Sequence, residues 1–270
     1  ELNIPFILFD VPYNTDAEFS PNKTKYMRAQ LQGVIEQFEE ITQTKFDYEK
    51  FHEVIARSSY NSSLFKQALD LIGSTKPAPA NGFDGYNFMA LMIVARARPE
   101  TTRIFEKFIE EMSERIAQGE TTFKGEEKYR ILYDGITCWP YLSYTSHFLS
   151  DLGVNTVASV YTDEYTSQWT DLDSLVNAYA STNNAQGIEM ALKRRNRMLD
   201  EYQCDGILCN VARSCKPWIG LMFEIERQLA DKRGIPYSMF DGDQADPRIF
   251  SKAQYETRVQ GLVEIMEENA

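Results

Sequence analysis

The chain has 270 residues, 43% of them hydrophobic, and a formal net charge of −12, enough for about two domains with a substantial core. The acidic balance argues against a nucleic-acid surface, which needs clustered cations, but leaves room for small anions held by local Arg, Lys and helix N-termini. No apolar run approaches the ~20 residues of a membrane span, and no signal peptide opens the chain.

Ile4 to Val11 reads as a buried strand with nothing leading into it, and residue 1 is Glu; the expectation is a portion of a longer protein. Helices are expected over 22–42, 47–72, 83–98 and 100–118, with Asn81-Gly82 and Arg98-Pro99 supplying breaks. Strand and helix then alternate: strand 129–134, helix 141–152, strand 154–160, helix 187–202, strand 206–211, helix 216–233, strand 236–241, helix 251–268. Such alternation gives a parallel sheet with right-handed crossovers and helices on both faces.

Two segments resemble each other. Ile4-Pro5-Phe6-Ile7-Leu8-Phe9-Asp10 matches Ile235-Pro236-Tyr237-Ser238-Met239-Phe240-Asp241, and downstream Gln32 to Glu40 matches Gln260 to Glu268. Two matches in the same order point to duplicated Rossmann/flavodoxin-like parallel-sheet domains, the first copy truncated. Residues 1–42 would be the last strand and helix of that first copy. Residues 43–122 would form a helical linking region, and 123–270 the second α/β domain.

Residues 203–220 carry the most chemical information. A buried strand (Gly206 to Val211) leads into a helix with Trp218, Ile219, Met222, Ile225 and Leu229 on one face. Cys215 therefore stands where a strand ends and a helix begins, the place where open α/β sheets bind ligands. A helix N-terminus there favours a thiolate, as do the flanking Arg213 and Lys216. Cys215 is accordingly a nucleophile or a metal ligand. Cys138, just past strand 129–134 in Gly135-Ile136-Thr137-Cys138-Trp139-Pro140, is open between packing and lining the site. Cys204 and Cys209 lie ~16 Å apart in an extended chain, cannot share a metal, and read as small buried residues.

Four irregularly spaced cysteines make no secreted disulfide framework and place the chain in a reducing, cytoplasmic setting. Zinc and four-cysteine ferredoxin spacings are absent, as are the glycine-rich nucleotide fingerprints. His52 reads as solvated and His147 as structurally satisfied. The loop Phe240-Asp241-Gly242-Asp243-Gln244-Ala245-Asp246-Pro247-Arg248 is either a polar turn capped by Ser251 or a wall of the cleft. In the second case Asp243, Gln244 and Asp246 would shape it, with Arg248 the nearest cation. By composition Thr121 to Arg130 is a charged surface entry to a strand.

Taken together, Phe123-Lys124-Gly125-Glu126-Glu127-Lys128-Tyr129-Arg130, Gly135 to Tyr141, Ala212-Arg213-Ser214-Cys215-Lys216, Phe240 to Arg248 and Asn81-Gly82-Phe83-Asp84 resemble the 2-hydroxyacyl-CoA dehydratase family, which is related to benzoyl-CoA reductase subunits. The resemblance covers essentially the whole chain and is closest to the α-type subunit. It implies a heterodimer with a related second subunit, each holding a [4Fe–4S] cluster by three cysteines. Cys215 matches one of these ligands, and the other two would belong to the missing N-terminal domain. It further implies an ATP-dependent iron–sulfur activator protein and an (R)-2-hydroxyacyl-CoA substrate, dehydrated to the 2-enoyl-CoA through a ketyl radical anion. On this reading Cys138, Trp139, Arg213 and Ser214 line the substrate side. The alternatives are a non-catalytic electron-relay or scaffold subunit and an aromatic acyl-CoA reductase subunit. Ala212 stands where relatives often have Asn, which leaves the ligand intact and alters hydrogen bonding near the cluster.

Overall fold

A computed structural model describes residues 4–16, 18 and 20–269. Four strands, β1 (Tyr129–Asp134), β2 (Val154–Ser159), β3 (Gly206–Ala212) and β4 (Tyr237–Gly242), form one parallel sheet in the order β2-β1-β3-β4. Helix α5 (Leu142–Asp151) connects β1 to β2. Helices α6 (Val160–Asp163), α7 (Leu172–Ala180) and α8 (Ile188–Tyr202) lead to β3, α9 (Lys216–Arg233) leads to β4, and α10 (Lys252–Asn269) closes the chain of elements. Helices α1 (Pro21–Thr42), α2 (Tyr48–Ser74), α3 (Asp84–Val94) and α4 (Pro99–Gln118) precede the sheet.

The strands are apolar runs with period-two side chains, so each face buries its own set. Ile131, Tyr133, Leu208 and Phe240 pack with Leu149 of α5 and with Tyr255, Val259 and Leu262 of α10. Leu132, Ile207, Cys209 and Val211 pack on the other face with Met198 and Leu199 of α8 and Met222, Ile225 and Leu229 of α9. Gly206 to Ala212 is buried throughout, as expected of a central strand with helices on both sides.

The region 43–122 packs directly on the sheet. The Gly82 N–H donates to Asn155 Oδ1 at 3.0 Å, and a Cβ at Gly82 would lie 1.4 Å from the Thr156 carbonyl oxygen. Only glycine allows the Asn81-Gly82 turn to approach β2 so closely. Arg130, at the start of β1 and 4% exposed, reaches the carbonyls of Gly73 and Thr75 at the end of α2 and pairs with Glu127. Glu127 Oε2 in turn accepts from Asn155 Nδ2 at 2.7 Å. The charged run before β1, expected at the surface, thus sends two of its side chains inward. Their charges are matched to each other and to backbone carbonyls, which makes that burial tolerable.

Other expectations are also revised. Ile4 to Val11 belongs to no strand among the described residues. Phe9 and Val11 pack against Met27 of α1 and Val176 and Ala180 of α7, while Ile4, Phe6 and Leu8 are 71%, 81% and 67% exposed. An apolar alternating segment becomes a strand only when another strand offers it a ladder, and the described residues supply none. The two internally similar segments therefore differ in conformation at Ile4–Asp10 and share it only in their helices. The short α6 and α7 fall in the interval left unassigned between 160 and 187. In α7 a reciprocal cap between Asp171 and Ser174 sets the helix start.

Candidate functional site at the sheet crest

From β1 the chain moves outward to β2 in one direction and to β3 and β4 in the other, so the sheet has its topological switch point between β1 and β3. A crevice opens at such a point beyond the carboxyl ends of the strands. Both segments singled out by their cysteines leave these two strands: Gly135 to Trp139 after β1, and Arg213 to Lys216 after β3.

The first crest loop is held by backbone geometry. Gly135 has φ +97°, and a Cβ there would meet the Asn210 carbonyl oxygen at 2.3 Å. Asn210, inside β3, donates through Nδ2 to the Ile136 carbonyl at 2.6 Å. Cys138 follows, only 1% exposed. Burial pushes its thiol above the usual range, against the opposing effect of the backbone N–H groups of Asp243 and Tyr141. Cys138 is therefore packed away, while Trp139, next in the loop, is partly exposed.

Cys215 is the N-cap of α9, with Pro217 in the first turn. Its N–H donates to the Ala212 carbonyl at 2.9 Å, and its carbonyl accepts from Ile219 at 3.2 Å. The thiol is free and partly exposed. Arg213, expected to favour a thiolate, instead donates through Nε to Asp241 Oδ1 at 2.8 Å, so its charge is taken up by the end of β4. Lys216 is exposed.

The loop after β4 reaches this segment. Asp243 is buried, accepting from the Ser214 N–H at 2.9 Å and from the N–H groups of Ala245 and Asp246 at 3.0 and 3.1 Å. The Ala245 and Asp246 amides and Ser214 hold its carboxyl down to about 2. Asp246 pairs with the exposed Arg248. Gln244 is exposed and makes no hydrogen bond among the described residues, which corrects the expectation that it fixes the loop. Ser251 caps α10, its hydroxyl accepting from Gln254 at 3.4 Å.

Beneath the crest lies a charge cluster that motif reading did not find. Asp134, last residue of β1, pairs with Arg195 of α8 (Arg195 Nη2 to Asp134 Oδ1, 2.9 Å) and accepts from Trp218 Nε1 at 3.1 Å. Glu226 of α9 stands beside them, fully buried, with neither carboxyl oxygen hydrogen-bonded. Burial, with Asp134 beside it, pushes Glu226 well above the usual carboxylate range. Asp134 is held below its usual range, Arg195 overcoming the cost of burial. Tyr161 is the other side chain missed. Its ring lies 5.7 Å from Trp218, edge to face, and it packs with Cys215 against the same apolar cluster. It sits in the interval left unassigned after strand 154–160, where no pattern marked it.

The crest therefore brings together Cys215, Ser214, Asp243, Trp139 and, behind them, Cys138. Cys209 is fully buried and Cys204 partly so; His52 and His147 are exposed, His147 lying in α5. Among the described residues no three His, Cys, Asp or Glu side chains converge as a metal site. Cys215 fits as a single ligand of a cluster, being a partly exposed thiol at a helix N-terminus, but a complete ligand set is not assembled by these residues. Among the described residues no helix is long and apolar enough to cross a membrane.

The sequence profile of the 2-hydroxyglutaryl-CoA dehydratase, D-component family matches residues 1–266. The chain is 42% identical over 270 residues to the (R)-2-hydroxyisocaproyl-CoA dehydratase alpha subunit of Clostridioides difficile, covering 99% of this chain and 66% of that one. It is also 42% identical over 267 residues to the alpha subunit of (R)-2-hydroxyglutaryl-CoA dehydratase of Acidaminococcus fermentans, covering 99% and 56%. Similarity to one of the benzoyl-CoA reductase subunits of Thauera aromatica is lower, 26% over 288 residues, covering 99% and 66%. The chain thus spans somewhat under two thirds of the length of the dehydratase subunits it matches. With a profile match over nearly its whole length and 42% identity to named subunits, the chain belongs to the 2-hydroxyglutaryl-CoA dehydratase, D-component family.

Proposed function

We propose that this chain acts in the α-type subunit of an (R)-2-hydroxyacyl-CoA dehydratase, a hydro-lyase that converts a 2-hydroxyacyl-CoA to the 2-enoyl-CoA. The observation that carries the reading is Cys215, a free, partly exposed cysteine at the N-cap of α9, on the switch point of the parallel sheet. Cys215 would be one ligand of a [4Fe–4S] cluster whose other ligands come from outside the described residues. When bound, such a cluster would supply one-electron chemistry and an electrophilic iron.

The protein's own part is positional. The Ser214–Asp243 hydrogen bond fixes the backbone entering Cys215, and Asn210 fixes the loop that presents Trp139. Tyr161 and Trp218 pack in the same apolar cluster as Cys215, which would limit water at a centre where a reactive intermediate must be protected. A related second subunit and an ATP-dependent iron–sulfur activator complete the proposed system. Higher identity to dehydratase subunits than to the benzoyl-CoA reductase relative favours dehydration over aromatic reduction.

The test is anaerobic purification of the intact protein with its partner subunit, followed by iron and sulfide analysis and assay with 2-hydroxyacyl-CoA thioesters. Cys215→Ala should lose the cluster signal of this subunit and turnover together. Cys138→Ser should keep the iron and change turnover, since Cys138 belongs to the apolar cluster against which Trp139 packs. Unchanged iron in Cys215→Ala would overturn the ligand assignment and with it the reading.

A further inference from the structure

Two surface grooves meet at Arg96. One, of about 380 Å³, is lined by Lys50, Arg57, Arg96 and Arg98 together with the apolar and backbone groups of Val94 to Pro99. Four cations on one groove stand out in a chain of net charge −12. Glu53 takes up Lys50 and Arg57, whereas Arg96 and Arg98 have no carboxylate partner among the described residues. The second groove, of about 560 Å³, runs on from Arg96 past Trp169, Tyr165 and Tyr179 and carries the polar groups of Thr182 and Asn184. Its acidic residue, Glu164, is already paired with Arg194 and accepts from the Asn183 N–H.

Arg96 is set in place at this junction. Its guanidinium lies 4.4 Å from the Trp169 ring centroid and donates through Nη2 to Ser62 Oγ at 2.9 Å and to the Tyr165 carbonyl at 2.7 Å. Its Nε is buried with no partner. Its Nη1 carries no hydrogen bond among the described residues, and a planar cation held by stacking with one edge still free is a common receptor for a phosphate. From there an aromatic path leads to the crest: the Tyr165 and Tyr161 rings are 6.0 Å apart, and Tyr161 lies 5.7 Å from Trp218, in the apolar cluster against which Cys215 also packs.

We infer that the paired grooves bind the coenzyme A part of a thioester, with phosphates at Arg96 and Arg98, the pantetheine arm along Trp169 and Tyr165, and the thioester end directed to Tyr161 and Cys215. The inference rests on the dehydratase reading for the thioester itself; the grooves supply its location. The ligand chemistry matches in order. A polyanionic nucleotide meets the cationic groove, a chain of alternating amides and methylenes meets an aromatic groove with amide and hydroxyl partners, and the reactive end meets the switch point.

The test is calorimetric titration of the intact protein with coenzyme A, 3′-dephospho-coenzyme A, pantetheine and ATP, in wild type, Arg96→Gln and Arg98→Glu. Arg98 is exposed at the start of α4, so Arg98→Glu should fold normally, which its thermal midpoint will verify. Each variant should weaken coenzyme A binding on the order of tenfold, the loss of one charge-assisted contact. Pantetheine binding should be unchanged in Arg98→Glu. Wild-type affinity for coenzyme A in both variants, no binding by the wild type, or ATP binding as tightly as coenzyme A would overturn the assignment. The outcome is separable from the cluster test. Loss of coenzyme A affinity in these variants with iron retained in Cys215→Ala would leave the groove standing and remove the dehydratase reading.

Discussion

Asp243 accepts the backbone N–H of Ser214 at 2.9 Å, joining the loop after β4 to the residue immediately before Cys215. Three converging N–H groups make this carboxylate the anchor of the crest, much as a capping side chain anchors a helix start.

Asp243→Asn should destabilise the protein by about 1–2 kcal/mol at neutral pH, because an amide presents one acceptor where the carboxylate presents two. The folded-state carboxyl is held down to about 2, below the ordinary unfolded value. Its contribution is therefore fully present above about pH 4 and fades as pH falls toward 2. Urea titrations of wild type and variant across that interval should converge at the acid end; a constant gap would show that the charge is not what matters.

Glu226 gives the opposite pH dependence. Its folded carboxyl is raised by burial, so it folds protonated and opposes folding increasingly as pH rises from the ordinary glutamate range toward the raised value. Glu226→Gln keeps the shape without that penalty. The variant should match the wild type near about pH 4 and become the more stable of the two toward about pH 8, read from denaturant midpoints. Equal pH dependence in both proteins would mean that Glu226 is ionised in the folded state.

Arg130→Met should cost about 3–5 kcal/mol, the usual result of removing one member of a buried pair, because Glu127 is then left without its cation. Adding Glu127→Gln should recover part of that loss. A double-mutant cycle on thermal midpoints measures the coupling; strict additivity would mean that Arg130 works only through the α2 carbonyls.

Gly135→Ala should disrupt the crest more than it disrupts the fold. Its φ of +97° and the 2.3 Å approach to the Asn210 carbonyl leave no room for a methyl group, and strain of this kind costs on the order of 1–3 kcal/mol. The near-ultraviolet circular dichroism of Trp139 and its neighbours should change while the far-ultraviolet spectrum persists. An unperturbed aromatic signal would contradict the close packing described.

The sheet was legible because its strands are short apolar runs bracketed by charged or glycine-containing turns. Tyr129–Asp134 is where the pattern put it, and the other three agree to within a residue or two. The crest position of Cys215 followed from the same pattern. Partnership was not legible. Ile4 to Val11 has the composition of a strand, but pairing depends on a neighbour that composition does not show. Arg130 and Glu127 look like solvated charges in a row of charges, and only the arrival of the α2 carbonyls makes their burial favourable. Arg213 likewise looked free to act on Cys215 until β4 delivered Asp241 beside it. Tyr161 and Arg96 carry no motif, since each acquires its surroundings from segments distant in the chain.

The position of β3 has a consequence for the order of assembly. It pairs in parallel with β1 on one side and β4 on the other, and the Arg130 N–H meets the Asp205 carboxylate across 75 residues of chain. Parallel neighbours cannot zip from a hairpin; the intervening helices must first be gathered, which makes such contacts late and slow to form. The thiol of Cys215 therefore reaches its final surroundings only after β3 has inserted. On the proposed reading, a cluster held by Cys215 would be acquired by a folded domain rather than by a nascent chain, so maturation of the protein should lag behind its synthesis.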